Sequence, residues 1–288
     1  MVAKTVGTNN SWKWTEKDGF DLTRFSNALP RPAMPPTRIP LATTNSPAII
    51  DPAKTALVVI DLQNYFLSPF LSRPPDHPGL KAVDQLANHA IPACRNAGIR
   101  IVWLSWGLTD SDVKNMPPSI ARGFDFGPDP NLDGYTRNFG VLGSETDAKN
   151  LDGTTFRAGR VLCVDEWNTK LYPPLEVVSC PEDIHIKKNR PSGFWKAEGP
   201  EQVLHDQGIT TLLFAGGSTE QSLSGSIQGA CMQGWDCLML SDACGTTGPP
   251  HLTDATKFQC ENEWGFVLTC EQLFAGIRNM QMTTGFSN

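Results

Sequence analysis

Six short stretches of this chain are built for strands, most of them apolar from end to end, and they recur between segments of helical periodicity. They are TALVVID (55–61), IRIVWLSW (99–106), DIHIKK (183–188), TTLLFAGG (210–217), DCLMLSD (236–242) and GFVLT (265–269). Runs of this length that are apolar on both faces suit strands buried in a parallel sheet. The intervening segments predict helices over 80–97, 197–207, 219–233, 252–263 and 270–279. In the first, Leu80, Val83, Leu86, Ala87, Ala90 and Ile91 form one stripe, and Gly98 closes it. Strands alternating with helices predict an α/β protein: three layers, α/β/α, around a mostly parallel sheet of about six strands, Rossmann-like in kind. In such sheets ligands bind beyond the carboxyl ends of the strands, so the polar residues there are the ones to weigh for chemistry.

Two regions stand outside this alternation. Residues 1–52 hold seven prolines and almost no periodicity, which predicts an extended N-terminal arm ahead of a domain over 53–288. The arm carries Trp12, Trp14, Phe20 and Phe25, so it is expected to lie on its own domain or on a neighbouring subunit. Residues 107–180, rich in Gly, Pro and Asp, read as a long irregular insertion. Hydrophobic residues make up 40% of the 288, enough for a sizeable core, yet no apolar run reaches the roughly 18 residues a membrane helix needs. The formal charge of −6 argues against nucleic acid or an anionic membrane as partner. None of the eight cysteines forms a C-x-x-C pair, and the first residues lack the apolar core of a signal peptide. A reducing, cytoplasmic setting with buried thiols is the expectation.

At the strand ends the sequence places Asp61, the pair Lys187 and Lys188, and the segment FAGGSTEQSLSG (214–225). Each has a bland alternative: a turn aspartate, a solvated lysine, a small residue in a helix. Gly216 and Gly217 let the chain turn, and Ser218 with Gln221 fits a capping box at a helix start. Ser222 then falls in the first turn, where unpaired N–H groups and the positive dipole end suit an oxyanion. Ser222, Gly225, Ser226 and Gly229 make this helix small-sided. A glycine inside a helix costs about 1 kcal/mol relative to alanine, so close packing or room for a ligand must offset it. Gln63, Tyr65, Phe66, Trp106, Phe194 and Trp195 are candidates to wall a pocket, against ordinary core packing. Cys244, after the fifth strand, is a candidate surrogate nucleophile or merely a small buried residue.

Taken together, IDLQNYF (60–66), K-x-x-x-S-G-F (188–194), FAGGSTEQSL before a helix and LSDACGTT (240–247) resemble the isochorismatase-like cysteine hydrolases, over about 55–280. The phrases WGLTDSDVKNMPP and WNTKLYPPL resemble a fungal branch of that family. The resemblance implies an Asp–Lys–Cys triad whose acid falls on Asp61 and whose lysine falls on Lys188 rather than Lys187. The nucleophile position falls on Ser222, a departure from the pattern. It also implies a cis peptide between Gly217 and Ser218, with the N–H groups of Ser218 and Ser222 as oxyanion donors. The five histidines lack the spacing of the zinc-binding members, so no metal and no dissociable cofactor are expected. The implied partner is a small-molecule substrate, within a homo-oligomer (dimer or tetramer). Four readings stay open at this point. The cysteine was changed to serine; or a natural serine still hydrolyses an amide, ester or enol ether. Alternatively the Asp–Lys pocket serves a lyase, isomerase or cyclisation reaction of secondary metabolism; or the protein only binds. An Asp–Lys pair that activates a thiol is poorly suited to a hydroxyl, which needs a stronger base.

Overall fold

A computed structural model of the chain describes residues 3–24, 38–125, 140–195 and 199–284. The N-terminal strands are β1 (Lys4–Val6), β2 (Trp12–Thr15), β3 (Gly19–Asp21), β4 (Ile39–Leu41) and β5 (Ala48–Ile50). The strands that follow are β6 (Thr55–Ile60), β7 (Arg100–Trp106), β8 (Glu145–Lys149), β9 (Thr155–Arg160) and β10 (Ile184–Lys188). Last come β11 (Thr211–Gly217), β12 (Asp236–Gly245) and β13 (Phe266–Leu268). The helices are α1 (Asn64–Leu67), α2 (Gly79–Gln85), α3 (Ile91–Ala97), α4 (Asp110–Lys114) and α5 (Pro118–Asp125). They continue with α6 (Pro173–Val178), α7 (Pro200–Asp206), α8 (Ser224–Met232), α9 (Pro250–Gln259) and α10 (Cys270–Thr284).

The main sheet is six-stranded and all parallel, in the order β10-β7-β6-β11-β12-β13. Every residue of β6 and β11 is buried, which is why these central strands read as unbroken apolar runs. Side chains alternate between two core layers. Leu57, Val59, Leu213 and Ala215 face α2, α3 and α10, while Ala56, Val58, Ile60, Leu212 and Phe214 face Leu223, Ile227 and Ala230. The helix expected over 80–97 runs as α2, a π turn (Leu86–Ala90) and α3. Pro92 lacks the N–H that an unbroken α ladder needs there. Gly98 closes it in the left-handed conformation, φ 82°. The start of the helix expected over 197–207 lies partly outside the described residues; α7 begins at Pro200.

Two regions are more ordered than their sequences suggest. The described part of residues 1–52 is not a plain extended arm but a five-stranded sheet, β1-β2-β3-β5-β4. Its strands run to three or four residues, and Pro40 sits in the edge strand β4, where a missing N–H does not forbid pairing. Phe25 and Pro30–Pro36 lie outside the described residues. The sheet is fixed to the domain by a ring cluster, Trp12–Phe20–Phe266, with centroids 5.7–5.9 Å apart. Beside it the buried Asp236 carboxylate accepts from Trp12 Nε1 at 2.8 Å and from both terminal nitrogens of Arg24 at 2.5 and 2.6 Å. The stretch 107–180 likewise contains α4, α5, α6 and the antiparallel hairpin β8–β9. A third core supports it, with Tyr65, Trp106, Leu108, Val161 and Leu162 at its centre.

Candidate active site

Neighbouring parallel strands end at one edge, and that edge gathers the polar residues. Lys188 is in register with Trp106 across β10 and β7, Leu104 with Ile60 across β7 and β6, and Ile60 with Gly216 across β6 and β11. Asp61, the residue after β6, takes φ 54°, rare for a side chain with a Cβ, while its N–H donates to Leu104 O at 3.2 Å. Its carboxylate lies 2.8 Å from Lys188 Nζ, and both side chains are only 2% exposed. Lys188 Nζ also donates to the carbonyl oxygens of Arg190 and Pro191, at 3.1 Å each. The Ser222 hydroxyl lies 3.4 Å from the same nitrogen, and the Trp106 ring lies beneath it, its centroid 4.2 Å away. Lys187 points the other way and is exposed.

Burial pushes the Asp61 carboxyl above its ordinary range, against the pull of the Lys188 charge and of its contacts with Lys188, Ser222 and Trp106. Burial likewise pushes the Lys188 ammonium down, opposed by Asp61. Three oxygen acceptors around Nζ call for three N–H donors, so the protonated form of Lys188 fits its cage. Asp61 is therefore a stronger base than an exposed carboxylate, and it sits beside a fixed positive charge.

Ser222 lies in a π turn (Thr219–Leu223) that leads into α8, and it is 8% exposed. The peptide bond between Gly217 and Ser218 is cis. The expected capping box does not form: the Ser218 side chain caps nothing, and the Gln221 amide turns to Glu220 at 3.2 Å. A π turn carries the chain away from the spacing that a box needs. The small side of α8 is explained by packing rather than by room for a ligand. A Cβ on Gly229 would stand 2.8 Å from Phe194 O and 3.0 Å from Ser192 Oγ. Ser226 accepts from Gly193 N–H at 3.0 Å and donates to Ser222 O at 2.6 Å. The loop that cages the lysine is thus docked on the helix that carries Ser222.

Above this edge is a cavity of about 1220 Å³ lined by Asp61, Tyr65, Phe66, Trp106, Ser218 and Ser222 among others. Lys188 lies behind Ser222 and Asp61 and does not itself line the cavity. Four other expected wall residues lie elsewhere. Gln63 is fully buried, with its amide spent on Trp106 N, Trp106 O and Thr169 O at 2.7–3.0 Å. Phe194 packs in the core against Phe214 and Trp235. Trp195 is 46% exposed beneath Arg190. Cys244 sits within β12, its sulfur 3.1 Å from Leu240 O, and burial pushes its thiol far above the ordinary range. Among the described residues that line the cavity, Cys244 does not figure. The sequence reading missed Phe70, Arg73, His77, Phe124, Asp147 and Lys149, which line the cavity from the proline-rich turns and the insertion. Only the D-G turn at 152–153, between alternating ETDAK and TFRAGR, signals the hairpin that roofs it. Among the described residues no three of His, Cys, Asp and Glu gather as metal ligands would.

Residues 55–272 match the isochorismatase domain family, and the chain belongs to that family. Ureidoacrylate amidohydrolase RutB of Caulobacter vibrioides (strain ATCC 19089) is 28% identical over 226 residues, 77% of this chain and 91% of the relative. The protein of the same name from Methylobacterium radiotolerans is 28% identical over 224 residues, 77% of this chain and 78% of the relative. The cysteine hydrolase from Pseudomonas syringae pv. phaseolicola 1448A superposes with a TM-score of 0.59 at 17% identity, covering 86% of this chain and 100% of that one. N-carbamoylsarcosine amidase from Thermoplasma acidophilum superposes at 0.52 and 17%, covering 76% and 97%. These superpositions establish the α/β fold. Among the described residues no helix is long and apolar enough to cross a membrane.

Proposed function

We propose that this chain is a hydrolase that cleaves the C–N bond of a small amide or ureido compound, with Ser222 standing where relatives of the cysteine-hydrolase type use a thiol. The observation that carries this reading is that Asp61 and Ser222 line one cavity with Lys188 directly behind them, its Nζ 2.8 Å from the acid and 3.4 Å from the hydroxyl. Asp61 takes the hydroxyl proton as Ser222 Oγ bonds to the carbonyl carbon. The N–H groups of Ser218 and Ser222 receive the oxyanion at the start of the helix. Asp61 then protonates the leaving nitrogen as the C–N bond breaks, and water, deprotonated by Asp61, releases the acyl group from Ser222. Lys188 remains an ammonium throughout and offsets the developing negative charge. The names of the relatives supply the bond type. The resemblance of 106–118 and 167–175 to fungal members supplies a source, fungal secondary metabolism.

A second reading, a non-hydrolytic lyase, isomerase or cyclisation catalyst, is favoured by one observation. The protons of Lys188 point to Asp61 and two carbonyls, so the lysine is not a free base for a hydroxyl, and Asp61 alone must activate it. Turnover of N-benzoylglycine in H₂¹⁸O separates the two, because its acyl product, benzoate, keeps the oxygen taken from water and can be weighed by mass spectrometry. Incorporation of one ¹⁸O, lost in Ser222→Ala, supports hydrolysis at Ser222. Product without ¹⁸O, formed equally by Ser222→Ala, transfers the site to the second reading.

A further inference from the structure

Gln221, one residue before Ser222, also lines the cavity, and the proposed reaction gives it no task. Its Nε2 donates to Glu220 Oε1 at 3.2 Å. That contact decides which way round the carboxamide lies. A carboxylate oxygen has only lone pairs to offer, so the amide nitrogen faces Glu220 and the carbonyl oxygen, Oε1, faces away. Among the described residues Gln221 Oε1 has no donor, and it is not sealed from solvent as the unpartnered Glu220 Oε2 is. Glu220 is itself held by packing. A Cβ on Gly248 would stand 2.9 Å from Glu220 Oε1 and 3.3 Å from Cδ1 of Leu252 in α9. Gly248 thus leaves the room in which the carboxylate that aims Gln221 sits.

The chain itself ties this acceptor to the reaction centre. Consecutive Cα atoms stand about 3.8 Å apart, and Gln221 and Ser222 face one cavity. An atom bonded to a carbonyl carbon held at Ser222 Oγ is therefore within range of the Gln221 side chain. The other polar groups at this point already have tasks. Lys188 spends its protons on Asp61 and on two carbonyl oxygens. Asp61 faces Lys188 and the Ser222 hydroxyl. The N–H groups of Ser218 and Ser222 are assigned to the substrate's carbonyl oxygen. What remains beside Ser222 is one acceptor without a donor. A carbonyl compound with an N–H next to its carbonyl carbon supplies that donor, whereas an ester sets lone pairs against lone pairs. A site built to hydrogen-bond an N–H rejects the analogue that lacks it, because its own polar group is then left unpaired.

We propose that Gln221 is a specificity-determining residue: its Oε1 accepts from an N–H bonded to the carbonyl carbon under attack. The site then takes amides and ureido compounds that keep an N–H there, and it rejects esters and N,N-disubstituted amides. This rests on the reading of Ser222 as the reaction centre, but it is tested by binding alone. Calorimetric titration would compare N-benzoylglycine, O-benzoylglycolate and N-benzoyl-N-methylglycine, which share one charge and one skeleton and differ in carrying N–H, O or N–CH₃. The full chain would carry Ser222→Ala, with and without Gln221→Met, which keeps the side-chain length and removes the acceptor. Asp61 has lost the Ser222 hydroxyl in both chains, so a change in preference between them belongs to Gln221. With Gln221 in place, N-benzoylglycine is expected to bind at least about tenfold more tightly than the other two. Gln221→Met should remove most of that preference by weakening N-benzoylglycine alone. Glu220→Gln, whose amide can donate or accept, lets Gln221 turn over and should remove part of it. Thermal unfolding of each variant checks that the fold persists. Equal binding of the three probes, binding of none at millimolar concentration, or equal weakening of all three by Gln221→Met overturns the assignment. An N–H preference that depends on Gln221, without ¹⁸O incorporation by the unaltered chain, would leave the assignment standing and remove the hydrolytic reading; ¹⁸O incorporation without the preference would do the reverse.

Discussion

Replacing Lys188 by methionine tests the electrostatics of the site directly. Methionine matches the lysine stem in length, so the change removes a charge and three donors with little loss of volume. Asp61 then remains 2% exposed with no cation at 2.8 Å, and the Arg190 and Pro191 carbonyls lose their donor. Breaking a buried pair from one side costs about 3–5 kcal/mol, because the surviving ion is buried unpaired. The penalty must depend on pH. Burial already raises the Asp61 carboxyl in the folded protein, and without Lys188 nothing comparable opposes it. An acid whose folded pKa lies above its unfolded value of about 3.9 carries no penalty while both states are protonated. The penalty grows as pH rises past the unfolded pKa and levels off above the folded one. Urea unfolding of Lys188→Met against the unaltered protein, from pH 4 to pH 8, should show the difference widening with pH. Asp61→Asn in the same chain should recover more than half of the loss at pH 8. A difference below about 1 kcal/mol at pH 8, or one that does not change with pH, would refute the assignment of a buried ion pair.

Other outcomes follow from the same geometry. If turnover needs ionised Asp61 and protonated Lys188, the pH–rate profile is a bell. Its acid limb lies above the ordinary carboxylate value of 3.8 and its basic limb below the ordinary lysine value of 10.5, as initial rates across pH would report. Asp236→Asn should lower stability by about 3–5 kcal/mol in urea unfolding, since it leaves Arg24 without its carboxylate at the seam between the two sheets. Gly245→Ala forces a Cβ to within 2.7 Å of Gly79 backbone atoms. It should cost about 1–3 kcal/mol and lower kcat by displacing Ser218, readable as a shift in Tm together with kinetics. Ser222→Cys should raise hydrolysis at least a hundredfold if the Asp61–Lys188 pair is tuned for a thiol; an unchanged rate would count against position 222 as the nucleophile.

The sequence by itself determined the main sheet, because a strand buried on both faces must be largely apolar: β6 and β11 are buried at every residue, and β7 and β12 carry apolar runs over 101–104 and 237–240. It also pointed to Asp61, Lys188 and Ser222, since parallel strands end at one edge and each residue follows a recognisable strand. It could not show which of Gln63, Phe194, Trp195 and Cys244 turn toward the cavity, because a residue near a strand end reads alike whether it faces core, solvent or ligand. The N-terminal sheet and the roof over the site were equally hidden. Their strands are short, and the N-terminal sheet is stabilised by contacts from distant parts of the chain, such as Trp12 and Arg24 on Asp236. Only the tertiary structure decided that Ser226 and Gly229 serve to dock the lysine loop, and that Arg73 and His77 face the same cavity as Ser222. Those facts depend on distances between segments 33 or more residues apart, and local pattern carries no record of them.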